Sequence, residues 1–304
     1  MIKVGIAGAE TQSAGELIRL LLGHPDIVLS AIESKSHSGL SVSVLHHGLF
    51  GEIPMIFSGS LNPASLDVVF LCDSASPLTF QELYSRFNML RIIDLTDSLN
   101  ANPESAGAVL GISELYRKPL VRGARAASIP APVTVIALIA LYPLASHMLL
   151  NDKLDIKVEA PADVCEPQIL KQAASLIADR LEKLQPSFSH TVDISASPWE
   201  HPRALRLSFT LKCSLALEEI IRIYDNVYDD HNFTFIVGQP ARPCDVAGTQ
   251  KCLIALRKPN QNTLDVDVVA DCRMRGGAGD AVHVMNLLFG LHEKVGLSLK
   301  VSDY

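Results

Sequence analysis

The run Leu66-Asp67-Val68-Val69-Phe70-Leu71-Cys72 is apolar at every position but one. A strand with no polar face must be covered on both sides, which places it inside a parallel sheet flanked by helices. The neighbouring segments agree. Ile2 to Ala7 is read as a strand and Ser13 to Leu22 as a helix, with Leu17, Leu20 and Leu21 on one side. Ile27 to Ile32 is a second strand, Leu78 to Phe87 a helix and Leu90 to Leu95 a further strand. Strand, glycine-containing turn and helix, in that order at the start, make a nucleotide-type βαβ unit.

Beyond about residue 150 the pattern changes. Leu154 to Glu159 alternates as a strand, and Pro167 to Leu184 carries an apolar stripe at helical spacing. Strand patterns follow at His190 to Ser195, Leu205 to Lys212, Cys252 to Leu256 and Leu264 to Val269, with a helix from Ala216 to Tyr224. This predicts a mixed or antiparallel α+β domain. The expected division is 1–130 as a Rossmann-like dinucleotide-binding-type domain and 131–277 as the α+β domain. The helix 278–292 is expected to pack back onto the first, with 293–304 as a tail.

Between Arg125 and Asp152 no residue carries a formal charge, and Val133 to Leu150 is largely apolar. Pro130, Pro132 and Pro143 interrupt it, so it is read as a buried core helix rather than a membrane span. The net charge is −7 and no long basic tract occurs, which argues against a nucleic-acid surface. Six cysteines (72, 165, 213, 244, 252 and 272) lack metal-type spacing. They are read as reduced thiols of a cytoplasmic protein without a metal site. Met1 to Ile6 reads as a strand beginning, not a signal peptide.

In the first turn, Gly8 suits the tight bend and Ala14 the close helix–strand packing, while Thr11 stands where a second glycine would admit pyrophosphate. Its Cβ is expected to crowd the phosphates or force an unfavourable backbone angle. Glu10 adds a carboxylate beside a helix N-terminus that otherwise attracts anions. Glu33 follows the second strand, placed to accept from a ribose 2′-hydroxyl, with Ser34 and Lys35 next to it. The cofactor-binding candidates are therefore Gly8, Ala9, Thr11, Gln12, Ser13, Glu33, Ser34 and Lys35, for NAD or NADP.

The stretch Gly276 to Leu291 resembles the C-terminal helix of N-acetyl-γ-glutamyl-phosphate reductases, of the semialdehyde dehydrogenase family. Gly5 to Leu17 resembles that family's Gly-x-x-Gly-Ala-Thr-Gly-x-x-Gly-x-Glu-Leu, and Gly111-Ile112-Ser113-Glu114-Leu115 its Gly-Leu-Pro-Glu-Leu. The resemblance implies a Rossmann-like domain plus a dimerisation and substrate domain. It also implies an NAD(P)-dependent reduction of an acyl phosphate through a cysteine thioester, in arginine biosynthesis. The family's Asn-Pro-Gly-Cys-Tyr-Pro-Thr matches Ser128 to Thr134, which puts Ala131, or Pro132 after a one-residue shift, at the nucleophile.

The family's His-x-His-x-Pro-Glu falls on Asp163 to Gln168, where Cys165 is the one candidate thiol; Cys72 is another elsewhere. About thirty residues separate Ala131 from Asp163, fewer than the family pattern has. Arg203 matches a substrate-type arginine, and Asp271 keeps its place. A second family arginine is lost in Thr96-Asp97-Ser98-Leu99-Asn100. His201 and the pair His46-His47 are read as structural. The implied function is a family member that has lost thiol-dependent reduction and serves as an oligomeric binding or regulatory protein, as a homodimer, a homotetramer or with an active paralogue. The alternative is an NAD(P)-dependent oxidoreductase, either of the family's own reaction or of a non-thioester chemistry.

Overall fold

The computed structural model describes residues 1–96, 98–99 and 102–301. Along the chain run β1 (Ile2–Ala7), α1 (Gln12–Leu22), β2 (Ile27–Ile32), the short α2 (Val42–Leu45), β3 (Val68–Leu71), α3 (Phe80–Arg86) and β4 (Arg91–Asp94). Then come β5 (Val109–Leu110), α4 (Ser113–Val121), β6 (Ala126–Ser128), α5 (Pro132–Ser146), β7 (Leu154–Ala160) and α6 (Pro167–Leu184). The remainder is β8 (Val192–Pro198), β9 (Ala204–Lys212), α7 (Leu217–Tyr228), β10 (Thr234–Val237), β11 (Cys252–Asn260), β12 (Thr263–Asp271) and α8 (Ala278–Leu288). Two compact units result, one of Met1–Pro130 with Gly277–Ser298 and one of Ala131–Gly276 with the chain from Leu299 onward.

The first unit holds a six-stranded sheet in the order β2-β1-β3-β4-β6-β5, parallel at every pairing. All four residues of β3 are buried, as its apolar run requires. Because β2 and β3 lie on opposite sides of β1, the strand order reverses there. A doubly wound sheet forms its ligand crevice at such a reversal, beyond the C-terminal ends of the strands. Helix α8 packs on α1, α4 and β4. It stops at Leu288, short of His292, because Gly290 takes a left-handed φ of 68° and turns the chain. Glu293 and Leu297 are buried, so the segment expected as a tail is packed as far as Leu297, and Ser302, Asp303 and Tyr304 lie outside the described residues.

The second unit is built on a mixed sheet in the order β10-β11-β12-β9-β7-β8. Its pairs β10–β11 and β7–β8 are parallel, and the three between them are antiparallel. Against it lies α5, whose residues from Val133 to Leu141 are all buried, a helix apolar all round and therefore central. No helix among the described residues is long and apolar enough to cross a membrane. Pro143 inside α5 has no N–H to give the carbonyl of Ile139 four residues back. The hydroxyl of Tyr228 donates to that carbonyl instead, and Tyr224 donates to Ala140 at 2.6 Å.

Candidate functional site

A cavity of about 460 Å³ opens at the end of β1, lined by Gly8, Glu10, Glu33, Lys35, Ser36 and Asp73 with the turn after β3. Gly8 has a φ of 71°, and a Cβ there would stand 2.6 Å from that of Asp73, so glycine is required both for the turn and for the approach of the β3 end. The Glu33 carboxylate, 1% exposed, accepts from the Gly8 amide at 2.8 Å and from the Ser76 hydroxyl at 3.1 Å. Of the cofactor candidates, Gly8, Glu33 and Lys35 line this cavity; Ala9, Thr11, Gln12, Ser13 and Ser34 do not.

Thr11 corrects one expectation. Its φ of −79° is ordinary extended backbone, because it is the N-cap of α1, its hydroxyl accepting from the Ala14 amide at 3.2 Å. No strained angle arises. His46 Nε2 donates across the turn to the Ala9 carbonyl, 2.8 Å away, and the ring stands against Gly15, which makes it part of the turn's packing. Among the described residues no group of three or more His, Cys, Asp or Glu is placed to hold a metal ion.

Ser36, Asp73 and Ser76 are not among the residues that the sequence singles out, and Glu10 is singled out there only as a carboxylate beside a helix N-terminus. Glu10 turns toward the end of β2, where its Oε1 accepts from the hydroxyls of Ser34 and Ser36, each at 2.5 Å. These bonds, Ser34 first, hold its carboxyl down at about 2. The cavity thus presents three carboxylates, Glu10, Glu33 and Asp73, against the single ammonium of Lys35. Such a balance does not fit the phosphates of a dinucleotide, since like charges at close range repel. Because the folded Glu10 titrates below its unfolded value of 4.5, its contribution to stability is present above that pH and lost as pH falls toward 2. Glu10→Gln is accordingly expected to lose less melting temperature than the unsubstituted protein between pH 4.5 and 2, in scans across that range.

In the second unit, Ala131 is the N-cap of α5 and Pro132 its first residue. A methyl group and a pyrrolidine ring offer no nucleophile. Gly276, at φ 68°, brings its backbone onto this helix start so closely that a Cβ would lie 2.4 Å from the Pro132 Cα. The two thiols that the sequence offers as relocated nucleophiles are Cys165 and Cys72. Cys165, in the turn after β7, has its pKa raised chiefly by burial and further by Asp163, and its Sγ points to the Ala160 carbonyl 3.5 Å away. Burial also pushes Cys72 up, and Cys272 to about 12, the opposite of what an attacking thiolate needs.

Arg203 and Asp271, separate in the sequence reading, are partners: Arg203 Nε donates to Asp271 Oδ2 at 2.8 Å. Asp163 forms a two-pronged pair with Arg273 at 2.6 and 3.0 Å, which holds its carboxyl below the usual range. His201 accepts from the amides of Arg203 and Ala204, a turn-forming role. In the altered family motif after β4, Thr96 and Ser98 donate to buried Asp94, while Asp97 and Asn100 lie outside the described residues.

A parallel doubly wound unit joined to a mixed-sheet unit is the semialdehyde dehydrogenase architecture. Solved structures show the same fold: aspartate semialdehyde dehydrogenase II of Vibrio cholerae, complexed with ASA, matches 95% of this chain and 98% of its own at a TM-score of 0.68 and 12% identity. The Candida albicans aspartate semialdehyde dehydrogenase, solved with NADP, gives 0.67 and 13%, over 95% and 98%. No family model matches the chain. Full-length relatives do. The N-acetyl-γ-glutamyl-phosphate reductase of Parabacteroides distasonis is 34% identical over all of both chains, and those of Phocaeicola vulgatus and Flavobacterium johnsoniae are 32% and 30% identical over the same full span. The chain belongs to the N-acetyl-γ-glutamyl-phosphate reductase family. Each of these relatives carries the name of the reductase.

Proposed function

We propose that this family member does not reduce acyl phosphates through a cysteine thioester and acts instead as an oligomeric binding or regulatory protein. The observation that carries this reading is the start of α5, where Ala131 and Pro132 stand and Gly276 packs against their backbone. Thioester chemistry needs a thiolate there, and the thiols at Cys72, Cys165 and Cys272 have raised pKa values. The assembly half of the proposal is supported by the second sheet. Its strand β7 buries Leu154, Ile156, Val158 and Ala160 on one face and turns Asp155, Lys157 and Glu159 outward. Arg206, Arg257 and Asp265 join them around a surface hollow of about 450 Å³. A face bearing both signs is suited to a second copy of itself or to a paralogue of like fold.

The second reading, the family's own reaction, is favoured by the relatives' names and by the retained Arg203–Asp271 pair. One assay separates the two. Purified protein is given N-acetylglutamate semialdehyde, inorganic phosphate and either NAD or NADP, and reduced nucleotide is followed by absorbance. The expected result is no phosphate-dependent rate above background, together with a mass in light scattering that is a multiple of the monomer's. Saturable, phosphate-dependent turnover would overturn the proposal in favour of the family reaction. A monomer at micromolar concentration would remove the homo-oligomeric role.

A further inference from the structure

Four polar groups converge on one oxygen at the end of β2. The hydroxyls of Ser34 and Ser36 reach Glu10 Oε1 at 2.5 Å each, the Ser36 amide at 3.4 Å, and His37 Nδ1 stands 3.7 Å away. Ser34 itself is 1% exposed, and its hydroxyl is also within 3.3 Å of His37 Nδ1 and accepts from the His37 amide at 3.1 Å. Hydroxyls, an amide and an imidazole on a short loop are the donor set of a phosphomonoester site, and Lys35 between the two serines adds the charge. The loop also has the right address. In a doubly wound sheet the end of the second strand meets the ribose 2′ position, and a phosphate there distinguishes one class of dinucleotide from the other.

We propose that Glu10 is a built-in anion that occupies this cradle, so that the pocket rejects 2′-phosphorylated nucleosides and admits only those with a free 2′-hydroxyl. The carboxylate satisfies the donors that a 2′-phosphate would use and repels the phosphate itself. Its low pKa means that it is ionised at any physiological pH. The buried carboxylate of Glu33 beside it, held by Gly8 and Ser76, is placed to accept from a hydroxyl and has no donor to offer a phosphate. The inference rests on the pocket's place in the fold and not on any turnover, so it stands or falls apart from the loss of thioester chemistry.

The test is calorimetric titration of the unsubstituted protein and of Glu10→Ala with adenosine, adenosine 2′-monophosphate and inorganic phosphate. The unsubstituted protein is expected to bind adenosine at least tenfold tighter than the 2′-monophosphate. Glu10→Ala is expected to gain tenfold or more for the 2′-monophosphate, and a further Ser34→Ala to remove that gain. Circular dichroism establishes that each variant is folded, with Glu10→Ser as the alternative should the alanine variant not fold. Equal affinity of Glu10→Ala and the unsubstituted protein for the 2′-monophosphate and phosphate would overturn the cradle. A gain for inorganic phosphate alone, with no adenosine binding by either protein, would overturn the assignment to a ribose.

Discussion

Gly276→Ala is expected to lower the free energy of unfolding by about 4 kcal/mol. Two costs combine. At φ 68° a residue with a Cβ is strained by about 1–2 kcal/mol. The added methyl would also lie 2.4 Å from the Pro132 Cα, 2.6 Å from its N and 2.9 Å from the Ala131 carbonyl carbon. Those are backbone atoms at the start of a helix buried for most of its length, so they cannot swing aside as a side chain does, and overpacking of this kind costs about 1–3 kcal/mol. Gly290→Ala is the control, because Gly290 has the same φ of 68° with nothing within 4 Å of its would-be Cβ. It should cost only the strain, about 1 kcal/mol. Urea denaturation of both variants reads the difference. Equal losses would mean that Gly276 is kept for its angle alone and that the start of α5 has room to move.

That contact bears on function as well as stability. A helix start pinned by an opposing backbone holds whatever stands there still, and in this chain Ala131 and Pro132 stand there.

The architecture was legible because it rests on local patterns. The β3 run and the all-apolar α5 each announced burial on every side, and the period of α6 announced a helix with one buried stripe. Short strands were invisible. Ala126-Ala127-Ser128 has no strand propensity, and becomes β6 only because β4 and β5 flank it in the sheet. The site was legible only in what it lacks. The absence of a thiol at 131 and 132 can be read from the residues, and so can the misfit of Thr11 with a glycine role. That Thr11 would be an unstrained cap was also available, since Thr at a helix start commonly caps it. No pattern could place Glu10 on Ser34 and Ser36, residues 24 and 26 positions away, because that pairing depends on β1 and β2 lying side by side. The Arg203–Asp271 partnership spans 68 positions and follows from the β9–β12 register, which sets Asp271 opposite Ala204.

Asp271→Ala is expected to cost about 3–5 kcal/mol, because it strips a fully buried carboxylate from several donors at once. Its Oδ2 accepts from Arg203 Nε at 2.8 Å and the Gly248 amide at 2.7 Å, and its Oδ1 from the amides of Arg273 at 2.8 Å and Met274 at 3.3 Å. Arg203→Ala should cost less, about 1–2 kcal/mol, since Asp271 would keep its amide partners and the charge they stabilise. The asymmetry is the informative quantity. If the pair exists to bind a substrate, the arginine is the functional member and its loss should leave stability nearly untouched. If it exists to fix the turn that leads from β12 to Gly276, the aspartate should dominate, and the double variant should cost less than the two single losses added. Equilibrium denaturation of the three variants decides between these. A loss below about 1 kcal/mol for Asp271→Ala would contradict the burial and bonding described, and would return Arg203 to the candidates for substrate recognition. The expected outcome makes the aspartate the structural member of the pair: it holds the turn that Gly276 ends, and that turn is needed whether or not any chemistry takes place beside it.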